Sequence, residues 1–162
     1  MKLFSKAIGI IFQGEGVICV RNIRDGATDG FMSLPGGTKK DHETINETLV
    51  REFTEEVGVV PDEYKQVHCS RVLHRNERKI IIRHFFLINS YTGEINQYGC
   101  ARDTTSPEII PFGDLLLKRV ELNQAHAEGL NKSVLEKARL DAEFTFFMSS
   151  WLESIHDQQA VH

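Results

Sequence analysis

Three glutamates, Glu52, Glu55 and Glu56, follow Arg51 in a stretch that opens with Gly37 and Glu43 and closes on Gly58 and Val59. Through the same stretch Ile45, Leu49, Phe53 and Val57 recur every four residues, which predicts a helix with one buried face. Asp41 is the expected N-cap, and Gly58 lies just past the expected C-terminus, where a left-handed residue is favoured. At roughly 100° per residue, Glu52 and Glu56 fall on one side beside the apolar stripe, with Glu55 close by. Three carboxylates on one rim repel each other. Like pairs at i,i+4 cost about 0.2–0.5 kcal/mol on exposed helices, and more where water is partly excluded. A divalent cation removes that penalty, and an all-oxygen donor set suits Mg²⁺ or Mn²⁺ rather than Zn²⁺. An acidic run alone would read as a solvated face. The added Gly37, Glu43, Arg51 and Gly58 at their offsets favour ligation.

Written out, the pattern is G-x5-E-x7-R-E-U-x-E-E-x-G-U over residues 37–59, with U a bulky apolar residue, preceded by Leu34-Pro35-Gly36. It resembles the Nudix box, the signature of Mg-dependent hydrolases that cut a diphosphate linked to another moiety. The resemblance implies an α/β protein with the Nudix fold, an α/β/α sandwich around a mixed β-sheet. It also implies a metal site built from Gly37 (through its carbonyl), Glu52, Glu55 and Glu56. Arg51 would pair with a carboxylate and hold the glutamates in place, with Glu43 as its partner or as an outer ligand. Phe53 departs from the pattern mildly, standing where the family usually has Ile, Leu or Val.

The implied reaction is attack of a metal-activated water on phosphorus, in line with the leaving phosphate. Within the box Glu55 is the first choice for the base, Glu52 and Arg51 support the chemistry, and Glu108 or Asp103 is the acid available outside it. Arg21 is the favoured substrate contact, because strand residues just before the box often face substrate in this family. Lys39, Lys40, Arg75, Arg78 and Arg83 are further candidates for phosphate oxygens.

At 162 residues the chain is expected to form one domain, 1–162, long enough to bury about 70% of its unfolded surface. Cys19, Cys69 and Cys100 are isolated and odd in number, which reads as reduced thiols in a cytoplasmic setting. No apolar run approaches the roughly 20 residues of a membrane span, and residues 1–12 lack a cleavage site for a signal peptide. A net charge of −4 argues against a general nucleic-acid surface. The expected partner is a small phosphoanhydride substrate held by the metal and by local basic residues.

The elements that must position the box follow from pattern and punctuation. Strands are expected at Ala7–Phe12 and Val17–Val20 around a Gln13–Gly16 turn, with a loop at Asp25–Gly30 before the box. Val67–Leu73 and Lys79–Asn89 form a hairpin around Arg75–Arg78, and Glu108–Phe112 is a short strand or edge. His74 and His84 could face each other across that hairpin, in a structural role. Phe144, Phe147, Met148, Trp151 and Ile155 predict a last helix packed on the sheet, a homodimer face or base-stacking surface being the alternative use of that stripe.

Substrate identity is not written in the sequence. No proline stands about fifteen residues beyond Val59, as in several ADP-ribose hydrolases, and no SQPWPFPxS-like run of NADH-cleaving relatives occurs. Nucleoside triphosphates, oxidised ones included, nucleotide sugars and dinucleoside polyphosphates all remain compatible. A catalytically silent nucleotide-sensing or partner-binding module is the alternative, disfavoured because such relatives commonly lose a box glutamate.

Overall fold

The computed structural model describes residues 1–21, 32–96 and 107–114. Their order is β1 (Lys2–Ile10), β2 (Phe12–Gln13), β3 (Gly16–Arg21), β4 (Met32–Ser33), β5 (Gly36–Thr38), α1 (Ile45–Glu56), β6 (Val60–His74), β7 (Lys79–Thr92) and β8 (Glu108–Pro111). One sheet runs β5-β1-β7-β6, with β1 antiparallel to β5 and parallel to β7. It is therefore mixed, as expected. The parallel pair is possible because α1 carries the chain across before the long antiparallel β6–β7 hairpin brings it back. In the second sheet β3 pairs with β2, β4 and β8.

Alternation along the strands divides the core into two layers. Ala7, Phe86 and Ile88 face α1, where they bury Leu49, Phe53 and Val57, with Ile45 partly covered at the helix start. Ile10 and Phe85 face the other way, onto Val17, Cys19 and Leu34. The mixed sheet thus lies between α1 and the second sheet. The expected second helical layer rests on residues 144–155, outside the described residues.

Phe53 fits in place of a smaller residue because Gly9 lies beneath it. A Cβ on Gly9 would overlap the Phe53 ring edge and come within 2.8 Å of Ile88 Cδ1. Burying that ring is worth about 2–3 kcal/mol, so the helix and its glycine strand form a matched pair.

Several boundaries differ from expectation. The helix is capped by Thr44, not Asp41. Thr44 Oγ1 accepts from Glu47 N–H while the Glu47 carboxylate accepts from Thr44 N–H, a capping box that satisfies two end groups at once. Asp41 instead sits in a turn before it. β1 starts at Lys2 and stops at Ile10, because the chain changes sheets at Ile11 and Phe12 already pairs with Val17. β6 starts at Val60 rather than Val67. Register shifts at Pro61/Glu63, Glu63/Tyr64 and Gln66/His68 break its alternation. His74 and His84 do not face each other: His74 stands opposite Lys79, and His84 opposite Cys69 with its Nδ1 3.3 Å from Gln66 Oε1. β8 ends at Pro111 and pairs with β3, the edge position that suits a proline. The Asp25–Gly30 loop, Cys100, Asp103 and the last helix lie outside the described residues. Among the described residues no helix is long and apolar enough to cross a membrane.

Candidate active site

The box folds as β5, a turn and α1, which sets the glycine strand alongside the glutamate face of the helix. Arg51 sits at the centre. Its Nε donates to Glu43 Oε1 at 2.5 Å and its Nη2 to Glu43 Oε2 at 3.1 Å, a two-pronged pair. Nη2 also donates to the Thr38 carbonyl at 3.1 Å, tying the helix to β5. Nη1 reaches Glu52 Oε1 at 2.7 Å and Glu55 Oε2 at 3.4 Å. Only a planar guanidinium can serve these acceptors together.

The four carboxylates differ in setting. Glu43, 7% exposed at its side chain, is drawn down to about 2, chiefly by its hydrogen bond from Arg51. Arg51 is raised correspondingly by Glu43. Glu52, 12% exposed, is raised by burial, with Arg51 opposing. Glu56 is buried and is pushed up to about 8, first by burial and then by Glu52 and Glu55; the Gly36 N–H, donating to its Oε2 at 2.9 Å, opposes the rise. Glu55 is half exposed. The rim thus concentrates negative charge that a single arginine only partly balances.

Gly37 lies directly under this rim. A Cβ there would overlap the Glu52 carboxylate, with Oε2 only 2.7 Å away. Because the obstacle is the end of a mobile side chain, Gly37→Ala is expected to keep the fold and to displace Glu52. The expected result is a Tm within a few degrees of wild type and turnover reduced about 10-fold or more. Unchanged turnover would contradict the placement of Glu52.

Glu56 also gives the metal-free protein a signed pH dependence. Its folded value of about 8 lies above the ordinary 4.5, so between those pH values the folded chain holds a proton that the unfolded chain does not. Its contribution is full below pH 4.5 and is lost as pH rises to about 8, on the order of a few kcal/mol. Glu43 acts oppositely: its contribution is present above 4.5 and is lost as pH falls towards 2. In chelator, Tm measured against pH is expected to fall from pH 5 to 8 more steeply for wild type than for Glu56→Gln. Parallel curves would contradict the environment assigned to Glu56.

The structure brings Arg51, Glu52, Glu55, Glu56 and Gly37 together, with Glu43 as the arginine's partner. Lys39 adjoins them at the end of β5, its Nζ 3.3 Å from the Lys40 carbonyl. Glu108 is exposed on β8, opposite Cys19 in the second sheet. Among the described residues it has no hydrogen bond or ion pair with the box. Arg21 closes β3 opposite Met32, and its side chain lies outside the described residues. Arg75 and Arg78 stand at the hairpin turn, and Arg83 lies on β7 beside Lys6 and Ser70. Sequence reasoning passed over Thr48, buried on α1 with its hydroxyl 2.9 Å from Glu43 Oε2. The Gly36–Gly37 backbone was expected at the site, but the pairing of the Gly36 N–H with Glu56 was not. The Thr48 signal was its place one turn before Arg51 and Glu52, on the same helix face.

The NUDIX domain profile matches residues 3–132. The chain belongs to the Nudix family. It is 27% identical over 95 residues to an 8-oxo-dGTP diphosphatase of Buchnera aphidicola subsp. Schizaphis graminum, covering 59% of this chain and 70% of that protein. With an 8-oxo-dGTP diphosphatase of Proteus vulgaris it shares 32% identity over 68 residues, 42% of this chain and 59% of the other. The solved MutT protein from Methanosarcina mazei Go1 superposes with a TM-score of 0.64 at 16% identity, over 94% of this chain and 95% of that one. This last is a likeness of fold. The protein is a Nudix hydrolase, acting on phosphoric anhydride bonds.

Nudix enzymes generally use a divalent metal. Among the described residues no three carboxylate, imidazole or thiolate groups converge as a ready ligand shell. Glu52 and Glu55 lean on Arg51, and Glu56 on the Gly36 N–H. The donor set itself fits the ion: hard oxygens, a carboxyl raised first by burial and then by its acidic neighbours, and a glycine whose missing Cβ leaves room beneath Glu52.

Proposed function

We propose that this Nudix hydrolase cleaves a nucleoside triphosphate to the monophosphate and pyrophosphate, with oxidised dGTP the first candidate, using Mg²⁺ with Mn²⁺ as substitute. The observation that carries the reading is the packing of Glu52 and Glu56 against the Gly36–Gly37 strand, with Glu55 beside them and Arg51 bracing Glu52 and Glu55. The two diphosphatase relatives support the choice of substrate. Glu52, Glu55, Glu56 and the Gly37 carbonyl would hold the metal. When bound it would neutralise phosphate oxygens and acidify a water.

The chain's own residues supply the rest. Glu43 and Thr38 hold the Arg51 fork, and Arg51 aims Glu52 and Glu55. The Gly36 N–H fixes which way the Glu56 carboxylate faces. Glu55, the most exposed of the three, takes the proton from the attacking water and can pass it to solvent. Glu108 remains the outside candidate for that task. Lys39 and Arg21 contact the phosphates. The reading places one domain over 1–162 in the cytoplasm, with Cys19 and Cys69 as free thiols.

A release assay over 8-oxo-dGTP, dGTP, other nucleoside triphosphates, ADP-ribose, nucleotide sugars and dinucleoside polyphosphates tests this with Mg²⁺ and with Mn²⁺. Pyrophosphate release, with the highest kcat/KM on 8-oxo-dGTP, is expected. Turnover of ADP-ribose or sugars with triphosphates inert would contradict the substrate, and saturable binding without release would indicate a silent sensor.

A further inference from the structure

We infer that Thr48 is a positioning residue for the hydrolysis, its hydroxyl holding Glu43 so that Arg51 can aim the box glutamates. Thr48 occupies one of the unspecified positions between Glu43 and Arg51 in the box, and the inference rests on the reading of Glu43 and Arg51 as the brace of the metal-binding rim. A helical threonine ordinarily returns its hydroxyl proton to the carbonyl four residues back. Thr48 Oγ1 is indeed 3.0 Å from the Thr44 carbonyl, which also accepts the Thr48 N–H at 3.0 Å. The alternative acceptor, Glu43 Oε2 at 2.9 Å, is the charged partner of a guanidinium. A charged acceptor makes the stronger hydrogen bond, so the proton goes to Glu43.

The consequence is geometric. Glu43 Oε2 accepts from the Lys40 N–H at 3.1 Å, from Arg51 Nη2 at 3.1 Å and from Thr48. The Lys40 donor comes from the turn, and Arg51 is the group to be positioned. Thr48 is therefore what joins Glu43 to the body of α1 independently of Arg51. The site is closed: Thr48 is 0% exposed and the Glu43 side chain 7%. An apolar group placed there would face a carboxylate oxygen that little water can reach. Glu43 would then turn towards the solvent side, and Arg51 Nη1 would lose its alignment on Glu52 and Glu55.

Two pairs of variants isolate the hydroxyl. Thr48→Val deletes it while keeping the branched shape, and Thr48→Ser keeps it while losing the methyl. Thr48→Ala differs from Thr48→Ser by the hydroxyl alone and is a good helix former, which covers the case where valine does not fold. Removing direct partners of ligands costs roughly 10–100-fold, so one step further out about 3–10-fold is expected. Calorimetric titration with Mn²⁺ alone should show binding weakened by that factor in Thr48→Val and Thr48→Ala. Turnover should show kcat lowered by a similar factor with KM nearly unchanged. Thr48→Ser should return both to within about twofold of wild type.

Wild-type Mn²⁺ affinity and kcat in Thr48→Ala would overturn the inference, as would a loss in Thr48→Ser equal to that in Thr48→Ala. Glu56→Gln serves as the control. If it is inactive while Thr48→Ala is normal, only the role of Thr48 fails. If it retains wild-type turnover, the reading of the site fails with it.

Discussion

Glu56→Gln is expected to lower kcat by about 10³-fold, since loss of an outer partner already costs roughly 10–100-fold. The same variant is expected to melt at a higher temperature than wild type in chelator at pH 8. The two effects share a cause. Burial among acidic neighbours pushes the Glu56 carboxyl up to about 8, so ionising it in the fold is costly without a cation. A glutamine keeps the shape, accepts the Gly36 N–H in the same way and carries no charge. Stability gained where activity is lost marks a group held in a destabilised state for function. Enzyme assays with Mg²⁺ and melting curves in chelator check both halves. Wild-type turnover would remove Glu56 from the site, and a lower Tm in chelator would mean that its charge is already compensated.

Arg51 should show the opposite coupling, with activity and stability falling together. Arg51→Ala strips Glu43 of a two-pronged partner inside a nearly closed pocket and also releases Glu52, Glu55 and the Thr38 carbonyl. Glu43 loses both of its bonds from Arg51 and keeps its charge, so a large drop in Tm is expected. Turnover should fall by about 10²-fold or more. Arg51→Lys keeps the charge but replaces a planar fork with a point, so it should recover part of the stability and little of the activity. Full activity in Arg51→Lys would show that charge, not geometry, is what the rim requires.

How far these features could be read before folding depends on how local they are. The rim was legible because Arg51, Glu52, Glu55 and Glu56 share one helix, where spacing alone sets direction. The buried stripe through Leu49, Phe53 and Val57 was legible for the same reason. Thr44-x-x-Glu47 carries the capping-box signature, but Asp41, three residues earlier, is an equally good N-cap residue type. The change of sheet at Ile11 was not readable, since Ala7–Phe12 is one apolar run with nothing to mark where pairing switches. Nor was the start of β6, whose register shifts erase the period-two signal over its first residues. The parallel pairing of Lys2–Ile10 with Lys79–Leu87 joins segments remote in sequence and follows only from the assembled topology. Thr48 stayed hidden because its partner is a side chain that folds back from outside the helix.

Diffraction from Mn²⁺-soaked crystals, recorded at the manganese edge, tests the central claim most directly. An anomalous peak bounded by the carboxylates of Glu52 and Glu56 and the carbonyl of Gly37 is the expected result. No peak there at millimolar Mn²⁺, with Glu52 still on Arg51 and Glu56 still on the Gly36 N–H, would contradict it.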